Sequence, residues 1–177
     1  EEAKEAEIIG LNYESTDVVE NSKLYKAYRY EGGFIAIDVA DVGRYLLAPE
    51  GAEVPVGLDE EATIIQLPVE SVYAASDFVL EMIDGMQNEE AARLITSVGV
   101  EESAYAAIAQ GLEDGSIAYA GDPAAINYAA LLKTSCDLVI LPETFAVEEN
   151  EEIDEATKTM IADVNERLAL LGIPAFV

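Results

Sequence analysis

From Thr63 onward the chain alternates short, continuously apolar runs with helix-like stretches, and that rhythm constrains the fold more than any other feature. The runs are Thr63-Ile64-Ile65-Gln66-Leu67, Leu94-Ile95-Thr96-Ser97-Val98, Ile117-Ala118-Tyr119-Ala120 and Leu138-Val139-Ile140-Leu141, with a fifth opening at Pro174. Strands without polar alternation are strands buried on both faces. Between the first two, Ser71 supplies a helix N-cap ahead of an apolar stripe at Val72, Ala75, Val79, Met82 and Ile83. Further helices are expected over 101–112, 125–133 and about 151–171. The predicted fold class is α/β, a Rossmann-like parallel sheet of five strands with helices on both faces.

Upstream the pattern differs. Tyr25, Tyr28 and Tyr30 lead to Glu31-Gly32-Gly33 and then to Phe34-Ile35-Ala36-Ile37-Asp38-Val39. A Gly-Gly pair between strand-forming runs marks a β-hairpin. Arg44-Tyr45-Leu46-Leu47-Ala48 reads as a third strand, closed by Pro49-Glu50-Gly51, and 52–61 as a loop. This N-terminal β-hairpin region is expected to pack at the edge of the parallel sheet. Residues 1–22 are acidic and weakly apolar, which suggests a leader or tether remnant. Residues 23–177 then form a single α/β lobe.

At 177 residues and 51% apolar, the chain can bury a substantial core. Nine Lys and Arg against 36 Asp and Glu leave a net charge of −27. That field repels nucleic acid and anionic lipid, and favours basic partners. It also fits a merely solvated acidic surface. The absence of His rules out Ser-His-Asp and Cys-His catalysis and His metal sites within the chain. Cys136 is the only cysteine, so no internal disulfide exists, and its apolar surroundings suggest a buried core residue. No apolar run reaches the roughly 18 residues of a membrane-spanning helix.

Open α/β sheets bind ligands at the carboxyl ends of their strands. The candidate ligand-binding segments are therefore the strand-to-helix junctions Pro68-Val69-Glu70-Ser71, Ser97-Val98-Gly99, Gly121-Asp122-Pro123 and Pro142-Glu143-Thr144-Phe145. Short turns favour small, Pro and Gly residues for geometric reasons as well, so the shared rim carries more weight than any one position. Neither a G-x-G-x-x-G nor a P-loop pattern occurs, and no G-x-S-x-G elbow. Glu70 and Glu143 would be the acid/base pair of a small Rossmann-like hydrolase or transferase. With 36 acids, however, chance proximity is the plainer account. No catalytic residue, metal or cofactor is expected. Acids from Glu148 onward suit a helix start. Tyr73, Tyr105, Tyr119 and Tyr128 lie near junctions, as core filler or as stacking surfaces for a flat ligand.

Several phrases together resemble a known family. They are Arg44-Tyr45-Leu46-Leu47-Ala48-Pro49-Glu50-Gly51, Val54-Pro55, Gly57-Leu58-Asp59, Thr63-Ile64-Ile65-Gln66-Leu67-Pro68-Val69-Glu70-Ser71-Val72-Tyr73-Ala74-Ala75-Ser76, Gly115-Ser116-Ile117-Ala118-Tyr119-Ala120-Gly121, Cys136-Asp137-Leu138-Val139-Ile140 and Leu171-Gly172-Ile173-Pro174. From about Tyr28 to Val177 the chain is similar to the N-terminal lobe of ABC-transporter substrate-binding proteins of the iron-siderophore, haem and cobalamin type. The resemblance implies a non-enzymatic lobe that captures a metal chelate and delivers it to an ABC permease. A second lobe would hold the other half of the ligand site. It also implies an extracellular cell-surface lipoprotein or a periplasmic protein, touching membrane only through a lipid anchor. By position, the resemblance implies ligand-facing residues at Pro68, Val69, Glu70, Ser71 and Tyr73, at Ser97, Val98 and Gly99, at Ala120, Gly121 and Asp122, and at Glu143, Thr144 and Phe145. It also makes Glu148, Glu149, Glu151 and Glu152 the acids that would dock on permease arginines. A stand-alone acidic protein-interaction domain is the reading from charge alone.

Overall fold

The computed structural model describes residues 6–17, 24–56, 58, 62–85, 89–145 and 153–177. The chain is mixed α/β and divides into two compact units, 1–68 and 69–177, where a single lobe from residue 23 was expected.

The first unit is a five-stranded sheet in the order β1 (Tyr13–Asp17), β2 (Tyr25–Tyr30), β3 (Ile35–Val39), β4 (Gly43–Ala48) and β5 (Thr63–Gln66). Neighbours from β1 to β4 are antiparallel, and β5 joins β4 in parallel. The β2–β3 hairpin turns at Gly32 and Gly33, whose φ angles of 84° and 86° only glycine adopts without strain. Tyr28, Tyr30, Phe34, Ala36, Leu46 and Ala48 bury one face together with Ala6 and Ile8. The Tyr30 hydroxyl donates to the Ala6 carbonyl at 2.6 Å. Residues 6–17 are therefore no loose leader: they carry two core residues and the edge strand β1. That strand faces solvent along most of its length, so its composition is polar and hides its pairing.

The second unit holds an all-parallel sheet in the order β10 (Ala175–Phe176), β9 (Leu138–Ile140), β6 (Val72–Ala74), β7 (Ile95–Val98) and β8 (Ala118–Tyr119). The chain starts at the central strand, adds β7 and β8 on one side, then returns to place β9 and β10 on the other. Among the described residues five α-helices accompany it: α1 (Asp77–Gly85), α2 (Glu89–Arg93), α3 (Ala106–Asp114), α4 (Tyr128–Lys133) and α5 (Glu155–Leu171).

Two cores flank the sheet, and successive strand residues enter them alternately. Val72 and Ala74 face Val79 and Leu80 of α1 and Ile108 of α3, with Leu138 and Ile140 alongside. Tyr73, Ala75, Val139 and Leu141 face Leu131 of α4 and Ile161, Val164 and Leu168 of α5. Period-two alternation with both sets apolar is why the strands read as continuous apolar runs. The Asp154 carboxylate caps α5 by accepting from Thr157 N at 2.8 Å, and Gly172, at φ 70°, closes it in the left-handed conformation.

The expectation of five parallel strands holds in number but not in membership. Residues 63–66 belong to the first unit, and the missing strand is Val72–Ala74, which the helical apolar stripe had hidden. Ser71 caps no helix. Its hydroxyl donates to the Thr134 carbonyl at 2.9 Å and meets the Thr96 hydroxyl at 2.6 Å. The Asp137 carboxylate accepts from the backbone N–H of both Glu70 and Ser71, at 3.0 and 3.1 Å. These bonds tie the amino end of β6 to that of β9. Ladder pairing on both edges then outweighs a short helical period. The helix begins at Asp77 instead, and those expected from 101, 125 and 151 begin at 106, 128 and 155.

Candidate functional site at the carboxyl edge of the parallel sheet

In an all-parallel sheet every strand ends on the same edge, and here four junctions gather there. They are Ala75-Ser76 after β6, Gly99 after β7, Ala120-Gly121-Asp122 after β8 and Pro142-Glu143-Thr144 after β9. The strand order reverses at β6, with β7 on one side and β9 on the other. Such a reversal opens a crevice between loops that diverge to opposite faces.

Tyr73 organises the middle of this edge. It lies within β6, fully buried, yet its hydroxyl donates to the Gly121 carbonyl beyond β8 at 2.8 Å. It spans the intervening β7 because Gly99 has no side chain. A Cβ on Gly99 would lie 2.6 Å from the Tyr73 hydroxyl and 2.3 Å from the Ala75 carbonyl oxygen. Gly121 is likewise confined, at φ 83° and with a Cβ that would meet the Ala125 carbonyl oxygen at 2.5 Å. Asp122 accepts from Ala124 N at 2.8 Å and starts the 3-10 turn Pro123–Ala125. Burial, and then the nearby Asp122 carboxylate, push the Tyr73 phenol well above its usual range.

One residue below the edge, Ser97 is fully buried, and its Oγ has no hydrogen-bond partner among the described residues. The β6–β7 register explains its direction. Val72 pairs with Ile95 but Tyr73 pairs with Ser97, so Thr96 is an extra residue and Ser97 turns to the Tyr73 face. An unpaired buried hydroxyl costs about 1–3 kcal/mol.

The structure brings Tyr73, Ser97, Val98, Gly99, Ala120, Gly121, Asp122, Glu143 and Thr144 to or just beneath this edge. Phe145 follows them in chain order but is buried in the α4/α5 core. Val69, Glu70 and Ser71 lie at the opposite, amino end of β6, and Pro68 closes the first unit. The shift arises because β5, which reads in sequence as the strand before this junction, pairs with β4 in the first unit. Glu70 and Glu143 consequently stand at opposite ends of the sheet, about 13 Å or more apart by strand rise alone, and form no acid/base pair. Glu148, Glu149, Glu151 and Glu152 lie outside the described residues. Sequence reasoning missed Ala75, Ser76 and Asp77, the real junction after β6. The signal was present in Ser76-Asp77, since Ser76 Oγ accepts from Val79 N at 3.5 Å at the true helix start.

No group of three or more Cys, Asp or Glu side chains among the described residues has the arrangement of a metal site, and no described helix is long and apolar enough to cross a membrane. Cys136 is buried with its thiol donating to the Leu138 carbonyl at 3.3 Å, and burial pushes its pKa up to about 11. It stays a neutral core thiol near pH 7.

Alkali tests this wiring. Cys136 and Tyr73 both keep their protons in the folded chain at pH values where the unfolded chain releases them. Above their ordinary values of about 8.5 and 10, the folded state therefore binds more protons and stability falls as pH rises. The Cys136 contribution fades between about 8.5 and 11, and that of Tyr73 from about 10 upward. Urea midpoints should fall progressively above about pH 9. Cys136→Ala should flatten the earlier part of the decline and Tyr73→Phe the later part. Tyr73→Phe should also cost about 1 kcal/mol at neutral pH. A pH dependence unchanged in both variants would refute the assignment.

Compared with protein-family models, with curated proteins and with solved structures, the chain matches none significantly.

Proposed function

We propose that residues 69–177 are a Rossmann-like ligand-binding unit. In this reading the chain is the lobe of an ABC-transporter substrate-binding protein that captures a metal chelate and passes it to a permease. The observation that carries the binding unit is the sheet order β10-β9-β6-β7-β8, whose reversal at β6 gathers four loops of small and polar residues on one edge. The unpaired Ser97 hydroxyl beneath that edge is a second support, because a buried polar group without a partner is retained at a cost. The transport role, the chelate class (ferric siderophore, haem or corrinoid) and a lipoprotein or periplasmic setting come from the resemblance of sequence phrases. Glu148, Glu149, Glu151 and Glu152 remain the proposed permease contacts.

Binding here is capture and release without bond chemistry. One edge covers roughly half of a ligand, whereas a complete small-molecule site buries about 70–90% of it. If a full site binds with about −10 kcal/mol, half of that leaves only high-micromolar or weaker affinity. Titrating the isotopically labelled chain with ferrichrome, ferric haem and cyanocobalamin, followed by NMR, tests this directly. The expected result is weak binding of at least one, with signal changes concentrated at 75–77, 97–99, 120–122 and 143–144. Nanomolar binding by residues 1–177 would remove the half-site idea. Changes centred away from the carboxyl edge, or no change with any of the three, would remove the binding unit.

A further inference from the structure

The face of the second unit that carries α1 and α3 has an apolar feature that ligand binding at the sheet edge does not use. Helix α1 buries Val79 and Leu80 against the sheet, while Phe78 is 67% exposed and Met82 51% exposed. The two are four residues apart, so they form one ridge running from the first turn of the helix. Tyr105, at the N-terminus of α3, is partly buried against the same core, and its phenol is pushed up by burial and then by the carboxylates of Glu81, Asp84 and Asp77. Those three acids are themselves exposed. Phe, Met and Tyr are the residues enriched in interface centres, and acids are normally depleted there, so here the acids form the surround.

We propose that the Phe78–Met82 ridge of α1, with Asp77, Glu81 and Asp84 beside it, is a docking surface for a basic protein that offers an amphipathic helix, its apolar face flanked by Arg or Lys. The choice of partner rests on charge. A second copy would bring another −27 and the same carboxylates against this face, and nucleic acid would bring phosphates. Cationic flanks pair with the acids and leave the two apolar side chains to pack on the helix's apolar face, the centre of the contact, where binding energy concentrates. The ridge exposes on the order of 200 Å² of apolar surface, the centre of a standard interface rather than its whole extent. Because α1 starts directly after β6, a partner seated there would lie beside the carboxyl edge without covering it.

The test uses the whole chain and a synthetic amphipathic helix, with Leu along one face and Arg on its flanks. A scrambled peptide of identical composition serves as the control. Binding is followed by fluorescence anisotropy at several salt concentrations. The wild-type chain should bind the amphipathic peptide more tightly than the scrambled one. Phe78→Ser and Met82→Ser should each weaken it about tenfold, with unchanged thermal melts because both side chains are exposed. Glu81→Gln with Asp84→Asn should flatten the salt dependence. No binding, equal binding of both peptides, or equal affinity of wild type and Phe78→Ser/Met82→Ser would overturn the proposal. So would a wild-type dimer in sedimentation that the double serine variant dissolves, since that assigns the ridge to a second copy.

Discussion

Replacing Gly99 with alanine is expected to destabilise residues 69–177 by about 3 kcal/mol or more, a large share of the roughly 5–15 kcal/mol that holds an ordinary domain together. The added methyl would meet the Ala75 carbonyl oxygen at 2.3 Å and the Tyr73 hydroxyl at 2.6 Å. The first of these is backbone at the end of the central strand and cannot rotate away. Relief would require β7 to move from β6, at the cost of the hydrogen bond from Gly99 N to the Ala74 carbonyl, 2.9 Å long. It would also push the Tyr73 phenol off Gly121. Gly85→Ala is the matched control. A Cβ there meets nothing within 4 Å and φ is not positive, so the change should be neutral or stabilise by a few tenths of a kcal/mol to about 1. Urea unfolding of the three proteins by circular dichroism decides the matter. A Gly99→Ala midpoint close to wild type would mean that β6 and β7 do not approach as closely as described.

The second large effect is the contrast between two leucines on α5. Leu168 is 1% exposed and packs with Ile161 and Val164 against the Tyr73 face of the sheet, whereas Leu170 is 79% exposed. Two residues advance a helix by about 200°, so the side chains point to opposite faces. Leu168→Ala should cost about 2–5 kcal/mol through lost transfer energy and the cavity left behind. Leu170→Ala should stay within about 0.5 kcal/mol, since alanine is the better helix former and the Leu170 side chain is largely exposed. Equal losses at the two positions would show that α5 presents a different face to the sheet. Thermal unfolding followed at 222 nm is sufficient, because the expected difference shifts the melting temperature by many degrees.

If both results hold, the candidate site rests on a rigid base. Tyr73, Gly99 and Gly121 then act as one fixture across β6, β7 and β8, and the edge above them changes little when ligand arrives. Such a base suits a site whose selectivity comes from loop side chains. It also separates two kinds of failure in the ligand titration. A variant that loosens the fixture should lose stability and binding together, while changes at Glu143 or Thr144, both exposed, should alter binding alone.

The sequence by itself determined the class of the second unit. Val139 and Leu141 had to be buried on one side and Leu138 and Ile140 on the other, and only a sheet covered on both faces accommodates that. It also determined the Gly32-Gly33 hairpin, because two consecutive positive-φ positions leave little choice but glycine. The junctions after β7, β8 and β9 were readable for the same reason: each follows a complete apolar run. Tertiary structure decided the rest. Val72–Ala74 became the central strand although its residues fit a helical stripe, because β7 and β9 pair with both its edges and Asp137 holds its entry. Thr63–Gln66 went to the first unit although it reads as a strand of the second, because its partner is β4. Pairing between segments far apart in sequence leaves no local period to read, so strand membership, and with it the position of the first site loop, could only come from the folded chain.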